Sequence, residues 1–274
     1  MPETIQPVLR FENVSLWYDD TPALDDVSFE MLPGETHVIL GAAGSGKTVL
    51  LKTALGLVKP DRGKVYVFGN DITKLEEDEL FEIRRKMGVL FQEGGLFDSL
   101  TIEDNVAYPV ITNRAEPLPA ERVREKVEET LRFVELGHTL DKFPSELSGG
   151  MRRRVGIARA AVTDPALVLY DSPTAGLDPI TANTIIALIV KERDVKGTTT
   201  AMVTHRYQDG HLMANFRYNP QSGTLERISN QNGGTPEIRT TFVVMREGRI
   251  VFEGTQQELE ASGDPYISKF VMRL

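Results

Sequence analysis

The chain has 274 residues, of which 41% are hydrophobic and 26% charged, and its formal net charge is −9 at pH 7. This composition is ordinary for a globular protein of one large or two small domains. The acidic balance argues against a nucleic-acid coat, and the absence of cysteine excludes disulfides, thiolate metal sites and cysteine nucleophiles.

The amino-terminal residues predict two short strands within 8–32. Apolar and polar residues mix there, and the segment closes on the turn Leu32-Pro33-Gly34-Glu35. No secretory signal precedes them, and no apolar run in the chain approaches the roughly 18 residues that span a bilayer. We therefore expect any membrane role to come through a partner. Tyr18 follows the first strand and suits either the core, which the residues alone favour, or stacking on a base.

A phosphate-binding pattern, G-x-x-x-x-G-K-[ST], occurs at Gly41-Ala42-Ala43-Gly44-Ser45-Gly46-Lys47-Thr48. The apolar run Val38–Leu40 precedes it and a helix-like run follows it, so the pattern has the strand–loop–helix context that it requires. Glycines let backbone N–H groups surround one anion, and the helix start adds partial positive charge. Lys47 is expected to reach the β- and γ-phosphates, and the Thr48 hydroxyl to bind Mg²⁺.

Residues 64–92 predict further parts of a sheet around a surface helix. A strand is expected at 64–69 and a charged helix at 76–85. An apolar run then predicts a buried strand that ends in the polar residue Gln92. Residues 94–163 have few strand signals and contain an amphipathic stretch at 119–136, so we interpret them as a helical subdomain inserted between strands.

The main sheet is expected to resume at Ala166–Asp171, an apolar run that ends in a carboxylate. Such a run is typical of a buried parallel strand, and ligands of open α/β sheets bind at the carboxyl edge. A helix is predicted from Pro179 to Arg193. The strand Thr199–Thr204 then ends immediately before His205, which would be a weak candidate on its own.

Residues 216–240 predict a polar hairpin and loop that either binds a partner or is an inert surface feature. A last hairpin is expected around 242–252. The tail 256–274 is predicted to be helical over Glu258–Leu274. The principal domain is therefore expected to span 7–255.

A second anion site is predicted at Ser148, Gly149 and Gly150, where a hydroxyl, backbone amides and a helix start converge. A chain with one phosphate loop and one separate anion-binding helix start favours a head-to-tail dimer. Each ATP would then lie between the loop of one copy and the Ser148 helix of the other.

Leu147–Met151 resembles the signature of the ATP-binding cassette (ABC) ATPases, and further matches follow along nearly the whole chain in the family's order. The resemblance implies an α/β fold: a P-loop NTPase core with a mixed sheet, an antiparallel β subdomain and a helical subdomain. It also implies that Tyr18 stacks on adenine and that Gln92 contacts Mg²⁺ and the attacking water. Asp171 would hold Mg²⁺ through water, Asp178 would lie at the dimer interface, and His205 would contact the γ-phosphate.

One position departs from that pattern. The residue after the Mg²⁺ aspartate is usually an acid that serves as general base, and here it is Ser172. A serine cannot accept the proton at neutral pH, and loss of a general base typically costs about 10²–10⁴ in rate. Three explanations stay open: an engineered substitution, natural slow hydrolysis that depends on His205 and Gln92, or replacement by another acid such as Glu93. Natural, slow hydrolysis is favoured.

The segment Gly94–Pro109 and the end of the chain resemble the Mla/Mce-type lipid-transport ATPases, also called toluene-tolerance ATPases. The resemblance implies a peripheral subunit on the cytoplasmic face of the bacterial inner membrane, with an integral membrane permease, a lipid-binding Mce-domain protein and phospholipid as cargo. An amino-acid or methionine importer shares much of the pattern. A soluble, non-transport ABC ATPase and an ATP-gated binding module are further alternatives.

Overall fold

The computed structural model describes residues 5–92, 94–112, 117–228 and 239–271. The strands are β1 Leu9–Tyr18, β2 Thr21–Met31, β3 Thr36–Gly41, β4 Arg62–Val67, β5 Asn70–Asp71, β6 Met87–Leu90, β7 Leu167–Asp171, β8 Thr199–Thr204, β9 Phe216–Asn219, β10 Thr224–Arg227, β11 Thr240–Arg246 and β12 Arg249–Gly254. The helices are α1 Lys47–Ala54, α2 Glu77–Arg84, α3 Ile102–Ile111, α4 Ala120–Phe133, α5 Gly149–Ala161, α6 Pro179–Lys196, α7 Tyr207–Asn215, α8 Gln256–Glu260 and α9 Pro265–Val271, with a 3₁₀ turn at Pro144–Glu146. No described helix combines the length and hydropathy that crossing a membrane requires.

A six-stranded mixed sheet in the order β12-β11-β3-β8-β7-β6 forms the core. Its strands run parallel except β12, which pairs antiparallel with β11. Every residue of β3, β7 and β8 is buried, which explains the apolar runs in β3 and β7. The sheet confirms the predicted α/β fold class. It also places the carboxyl ends of β3, β8 and β7 side by side.

A separate antiparallel sheet in the order β2-β1-β4-β5 packs through one hydrophobic cluster against α1 and the core sheet. Leu9 pairs with Met31 at one end of β1. At the other end Tyr18 pairs with Thr21, beside the amino-terminal side of α1. This pairing fixes where Tyr18 emerges from the sheet.

Helices α3, α4 and α5 occupy the stretch from 94 to 163, and their apolar faces meet in the second hydrophobic cluster. Buried Asn105 organises the segment before α3. Its amide oxygen accepts from the Phe97 N–H at 2.8 Å, and its Nδ2 donates to the carbonyls of Phe97, Leu100 and Thr101. The network fixes the backbone at Phe97, and the exposed Phe97 and Tyr108 rings lie 4.8 Å apart.

The expected polar hairpin is present as β9 and β10, and residues 229–238 of that region lie outside the described residues. Hydrogen bonds join the β9–β10 hairpin to the end of α6. The buried Arg193 guanidinium donates to the Met213 carbonyl at 2.6 Å and to the Phe216 carbonyl at 3.1 Å. The Asp194 carboxylate accepts from the Tyr218 N–H at 2.7 Å. The hairpin is therefore held to the body by charged hydrogen bonds.

The tail, which was predicted to be helical, contains two short helices within the described residues. Helix α8 begins at a Thr255 capping box and ends at Glu260, and α9 begins only at Pro265. Gly263 and Pro265 explain the break, because glycine disfavours a helix interior and proline suits its first position.

Glu192 is fully buried on the inner face of α6. Its Oε2 accepts from the Thr198 hydroxyl at 2.9 Å and from the Tyr170 hydroxyl at 3.4 Å. No described residue bonds to Oε1. Burial raises the pKa of Glu192 from 4.5 to about 7, although the two hydroxyls favour the charged form. The folded protein therefore retains a proton that the unfolded chain releases at lower pH.

The substitution Glu192→Gln tests whether the folded protein retains a proton on Glu192. Because the folded-state pKa is raised, the free energy of unfolding contributed by Glu192 is fully present below pH 4.5 and is lost as pH rises through about 7. We expect Glu192→Gln to stabilise the protein by about 1–3 kcal/mol near pH 8 and to change little near pH 5. Urea denaturation at both pH values measures this, with the exposed Glu129→Gln as control. An equal effect at both pH values would contradict it.

Candidate functional site

A groove of about 520 Å³ opens where the parallel strands end. It brings together side chains from distant parts of the chain. The lining residues are Tyr18, Thr21, Pro22, Ala23, Ala43, Gly44, Ser45, Gly46, Lys47, Thr48, Val49, Gln92, Ser172, Ala175 and His205. Tyr18 is 51% exposed, so the core position favoured by the residues alone is wrong.

The phosphate loop between β3 and α1 forms the floor of this groove. Gly44 and Gly46 have φ values of 75° and 100°, in the left-handed region that favours glycine. A Cβ on Gly46 would lie 2.4 Å from the Ala23 carbonyl oxygen. Glycine is therefore required at position 46, both for the turn and because β2 of the antiparallel sheet approaches the loop closely. The amino terminus of α1 points its free N–H groups toward the groove.

The Lys47 ammonium is held by its own loop. Its Nζ donates to the carbonyls of Gly41 and Ala42, each at 2.8 Å, and to the Ser45 hydroxyl at 3.2 Å. Burial lowers the pKa of Lys47, and the negative charge of Asp171 opposes that shift. These carbonyls keep a cation at the groove floor, where phosphate oxygens can replace them.

Asp171 and Ser172 lie at the end of β7. Asp171 is buried, and its Oδ1 accepts from the Ser172 hydroxyl at 3.1 Å. Ser172 has a φ of 49°, a left-handed conformation that costs on the order of 1 kcal/mol for a residue with a Cβ. The Val203 carbonyl of β8 holds it there by accepting from the Ser172 N–H at 2.9 Å. Glu93, the alternative acid, lies outside the described residues.

A buried carboxylate lies behind His205 and was not predicted from the sequence. Asp209 Oδ2 accepts from the Thr174 hydroxyl at 2.6 Å and from the Thr204 hydroxyl at 2.8 Å. It therefore ties the loop that carries Ser172 to the segment that carries His205. Burial raises the pKa of Asp209, and the two hydroxyls oppose the shift. Its spacing of one helical turn after His205 was the available signal.

The predicted Mg²⁺ ligands are oxygen donors at this site. Thr48 and Gln92 line the groove, and Asp171 immediately precedes the lining residue Ser172. Within the described part of the chain, no group of three or more His, Cys, Asp or Glu side chains could hold a metal ion. One carboxylate with neutral oxygens suits Mg²⁺, which usually completes its shell with water and substrate phosphates. The donor set therefore fits a metal that arrives with a phosphate ligand.

Two predicted elements lie outside the groove: the Ser148–Gly150 helix start and Asp178. Neither is among the described residues that line it. The Ser148 hydroxyl caps α5 by accepting from the Met151 N–H at 3.2 Å, and the Asp178 carboxylate caps α6. The two helix starts are neighbours, because a Cβ on Gly150 would lie 2.6 Å from the Thr181 methyl. That the Ser148 helix start and Asp178 contact a nucleotide stays a prediction.

Arg153 connects α5 to the groove. Its Nη2 donates to the carbonyl of Ala175, a lining residue, at 2.9 Å. The side chain is buried, so this bond is shielded from water. A displacement of α5 would therefore be transmitted to the groove wall.

The family model described as "ABC transporter" matches residues 24–175. The chain is 42% identical to the probable ribonucleotide transport ATP-binding protein mkl of Mycobacterium leprae over 66% of this chain and 52% of that protein. It is 31% identical to the intermembrane phospholipid transport system ATP-binding protein MlaF of Haemophilus influenzae over 97% of this chain and 90% of that protein. It is 41% identical to the methionine import ATP-binding protein MetN of Carboxydothermus hydrogenoformans over 67% of this chain and 53% of that protein. The chain thus spans about half the length of the mkl and MetN relatives.

A solved structure is similar over nearly the whole chain. It is a dimeric ATP-binding cassette in a post-hydrolysis state with bound ADP and Pi. It has 29% sequence identity and a TM-score of 0.76, and the match covers 90% of this chain and 98% of that one. The likeness extends beyond the region matched by the family model.

Proposed function

The chain belongs to the ABC transporter family, and from that premise we propose that it is the ATP-binding subunit of a transporter. Two copies would close on Mg·ATP and hydrolyse it to drive a separate membrane permease. The observation that carries the proposal is the groove itself. It joins the phosphate loop, Gln92, Ser172 and His205 at one edge of a parallel sheet.

Each groove residue has a role that its position supports. Exposed Tyr18 offers a flat ring for adenine, and the loop N–H groups with Lys47 bind the phosphates. Gln92 follows β6 and His205 follows β8, and both residues line the groove. They would orient the attacking water and the γ-phosphate. Thr48, Gln92 and Asp171 would hold Mg²⁺, which supplies charge neutralisation at the β- and γ-phosphate oxygens.

We propose a dimer because the groove and the Ser148 helix start are separate in a single chain. The groove has one anion-binding helix start, at α1, while the Ser148 helix start lies outside it. A second copy would bring its Ser148, Gly149, Gly150 and Asp178 over the phosphates. The dimeric form of the similar cassette supports this arrangement.

Mixing two inactive variants tests the composite site. Lys47→Ala removes the lysine of one half-site and Ser148→Arg blocks the other, so each variant alone should lack ATPase activity. In a mixture, half of the pairs contain one intact site, and activity should recover to about a quarter of the wild-type value. Phosphate release measures this, with each variant diluted into itself as control. A mixture that stays inactive would show that the site is not shared between copies.

We further propose slow hydrolysis, because no carboxylate stands at position 172. The Ser172 hydroxyl donates to Asp171 Oδ1 at 3.1 Å, and a serine hydroxyl does not accept a proton from water at neutral pH. Positioning and electrostatics supply most phosphoryl-transfer catalysis, so turnover should persist at a reduced rate.

Restoring the acid should raise the rate. Ser172→Glu is expected to increase single-turnover ATP hydrolysis by about tenfold or more, since a general base typically contributes about 10²–10⁴. Ser172→Gln is the matched control, with the same shape and no proton acceptor, and it should not exceed the wild type. If Glu and Gln gave equal rates, the acid would be dispensable in this chain.

The cargo that we propose is phospholipid, moved between the inner and outer membranes. The support is the MlaF relative, which matches 97% of this chain, whereas the MetN match covers 67%. We place the subunit on the cytoplasmic face of the inner membrane, with an integral permease and a lipid-binding Mce-domain protein. The MetN likeness favours methionine or another amino acid as a second candidate cargo.

Purification of the assembled complex separates these cargoes. The tagged chain should retain a polytopic membrane protein, and mass spectrometry should find phospholipid bound in excess of the surrounding detergent–lipid background. A complex that binds methionine and lacks enriched lipid would support the second candidate. Recovery of the chain without any membrane protein would contradict the transport proposal.

A further inference from the structure

We infer that Tyr266 is a positioning residue for the phosphate loop. Its hydroxyl holds the Ala42 N–H, and the residue does not line the nucleotide groove. The inference deepens the proposed function, and its link to ATP affinity rests on that proposal. The contact between Tyr266 and the loop does not depend on that proposal.

The contact is a two-bond bridge. The Tyr266 hydroxyl accepts from the Ala42 N–H at 3.1 Å and donates to the Met245 carbonyl at 3.0 Å. Ala42 is the second residue of the loop, and Met245 lies in β11, the strand that pairs with β3. One hydroxyl therefore joins the start of the loop to the neighbouring strand.

Tyr266 lies outside the groove that Tyr18 and His205 line. It lines a second cavity, of about 480 Å³, together with the loop and α9. The residues that line this cavity are Ala42, Ala43, Gly44, Ser45, Arg246, Glu247, Asp264, Pro265, Tyr266 and Lys269. Ala43, Gly44 and Ser45 also line the groove, so the two spaces share these loop residues. Tyr266 therefore acts on a nucleotide in the groove through the loop.

The Tyr266 ring is itself held in place. Phe270 packs edge-on against it at 5.3 Å, and the Arg246 guanidinium lies over it at 5.3 Å. Helix α9 is anchored by buried Ile267 and begins with Asp264 Oδ1 accepting from the Tyr266 N–H at 2.6 Å. The hydroxyl is therefore presented by a fixed ring.

The other half of the tail is tied to the segment that follows His205. Gln256 in α8 donates to the Tyr207 hydroxyl at 2.8 Å, and its Oε1 accepts from Asn215 at 2.7 Å. The Tyr207 hydroxyl also donates to Glu260. Helices α8 and α9 thus join α7 to the phosphate loop.

The physical consequence concerns the backbone of Ala42, whose N–H and carbonyl belong to two successive peptide groups. The carbonyl accepts from Lys47 and the N–H donates to Tyr266, so both peptide groups of this residue are held. When Lys47 turns to a phosphate, the carbonyl loses that donor and Tyr266 remains. Water can replace the hydroxyl, but it would not fix the distance between the loop and β11.

The experiment compares Tyr266→Phe with Tyr66→Phe, a control on β4 that lines neither space. Tyr266→Phe keeps the ring and removes the hydroxyl. In nucleotide-free protein, amide exchange over 41–48 should accelerate by about threefold or more, as expected for loss of a single hydrogen bond. The KM for ATP should rise by about three- to tenfold, with kcat at saturating ATP within about twofold of wild type.

The outcomes separate this inference from the proposed function. Unchanged exchange and unchanged KM in Tyr266→Phe, with an active wild type, would overturn the inference and leave the proposed function intact. A wild type that neither binds nor hydrolyses ATP would overturn the proposed function, and the exchange measurement would still decide whether Tyr266 holds the loop. A fall in kcat with constant KM would assign Tyr266 a different role.

Discussion

The parallel pairing of β3, β8 and β7 is the constraint on which the rest of the structure depends. Leu40 lies opposite Thr204, and Asp171 lies opposite Val203, so three chain segments end at one edge within one residue of register. The phosphate loop, the Ser172 segment and His205 follow directly from these ends. A shift of one residue in the pairing register of a strand would turn its side chains to the other face of the sheet. The groove residues would then no longer lie together.

Backbone and hydroxyl contacts then convert this edge into a defined site. The Val203 carbonyl fixes the left-handed turn at Ser172, and the buried Asp209 carboxylate joins Thr174 to Thr204. Both contacts are independent of what the Ser172 side chain carries. A glutamate introduced at position 172 in the test that we propose would therefore enter the same backbone turn.

The elements with strong local signals could be predicted from the sequence. Apolar runs identified β3 and β7 because both faces of each strand are buried, and the loop pattern located α1. Side chains whose role depends on distant contacts gave no such signal. Asp209 differs from a surface acid only through the Thr174 and Thr204 hydroxyls, and Tyr266 acquires its role from Ala42, far away in the sequence. The two short helices of the tail are separated at Gly263 and Pro265, and the prediction of a helical tail did not place this break.

Helix α7 connects the site to the β9–β10 hairpin and to the tail formed by α8 and α9. It begins two residues after His205, and its buried Asp209 joins the Thr174 loop to Thr204. The Met213 carbonyl near its carboxyl end accepts from Arg193, which also donates to the Phe216 carbonyl at the start of the hairpin. Its first residue, Tyr207, accepts from Gln256 of the tail. The segment after His205 is therefore bonded to the groove loop, the hairpin and the tail, because one helix of nine residues carries all of these contacts.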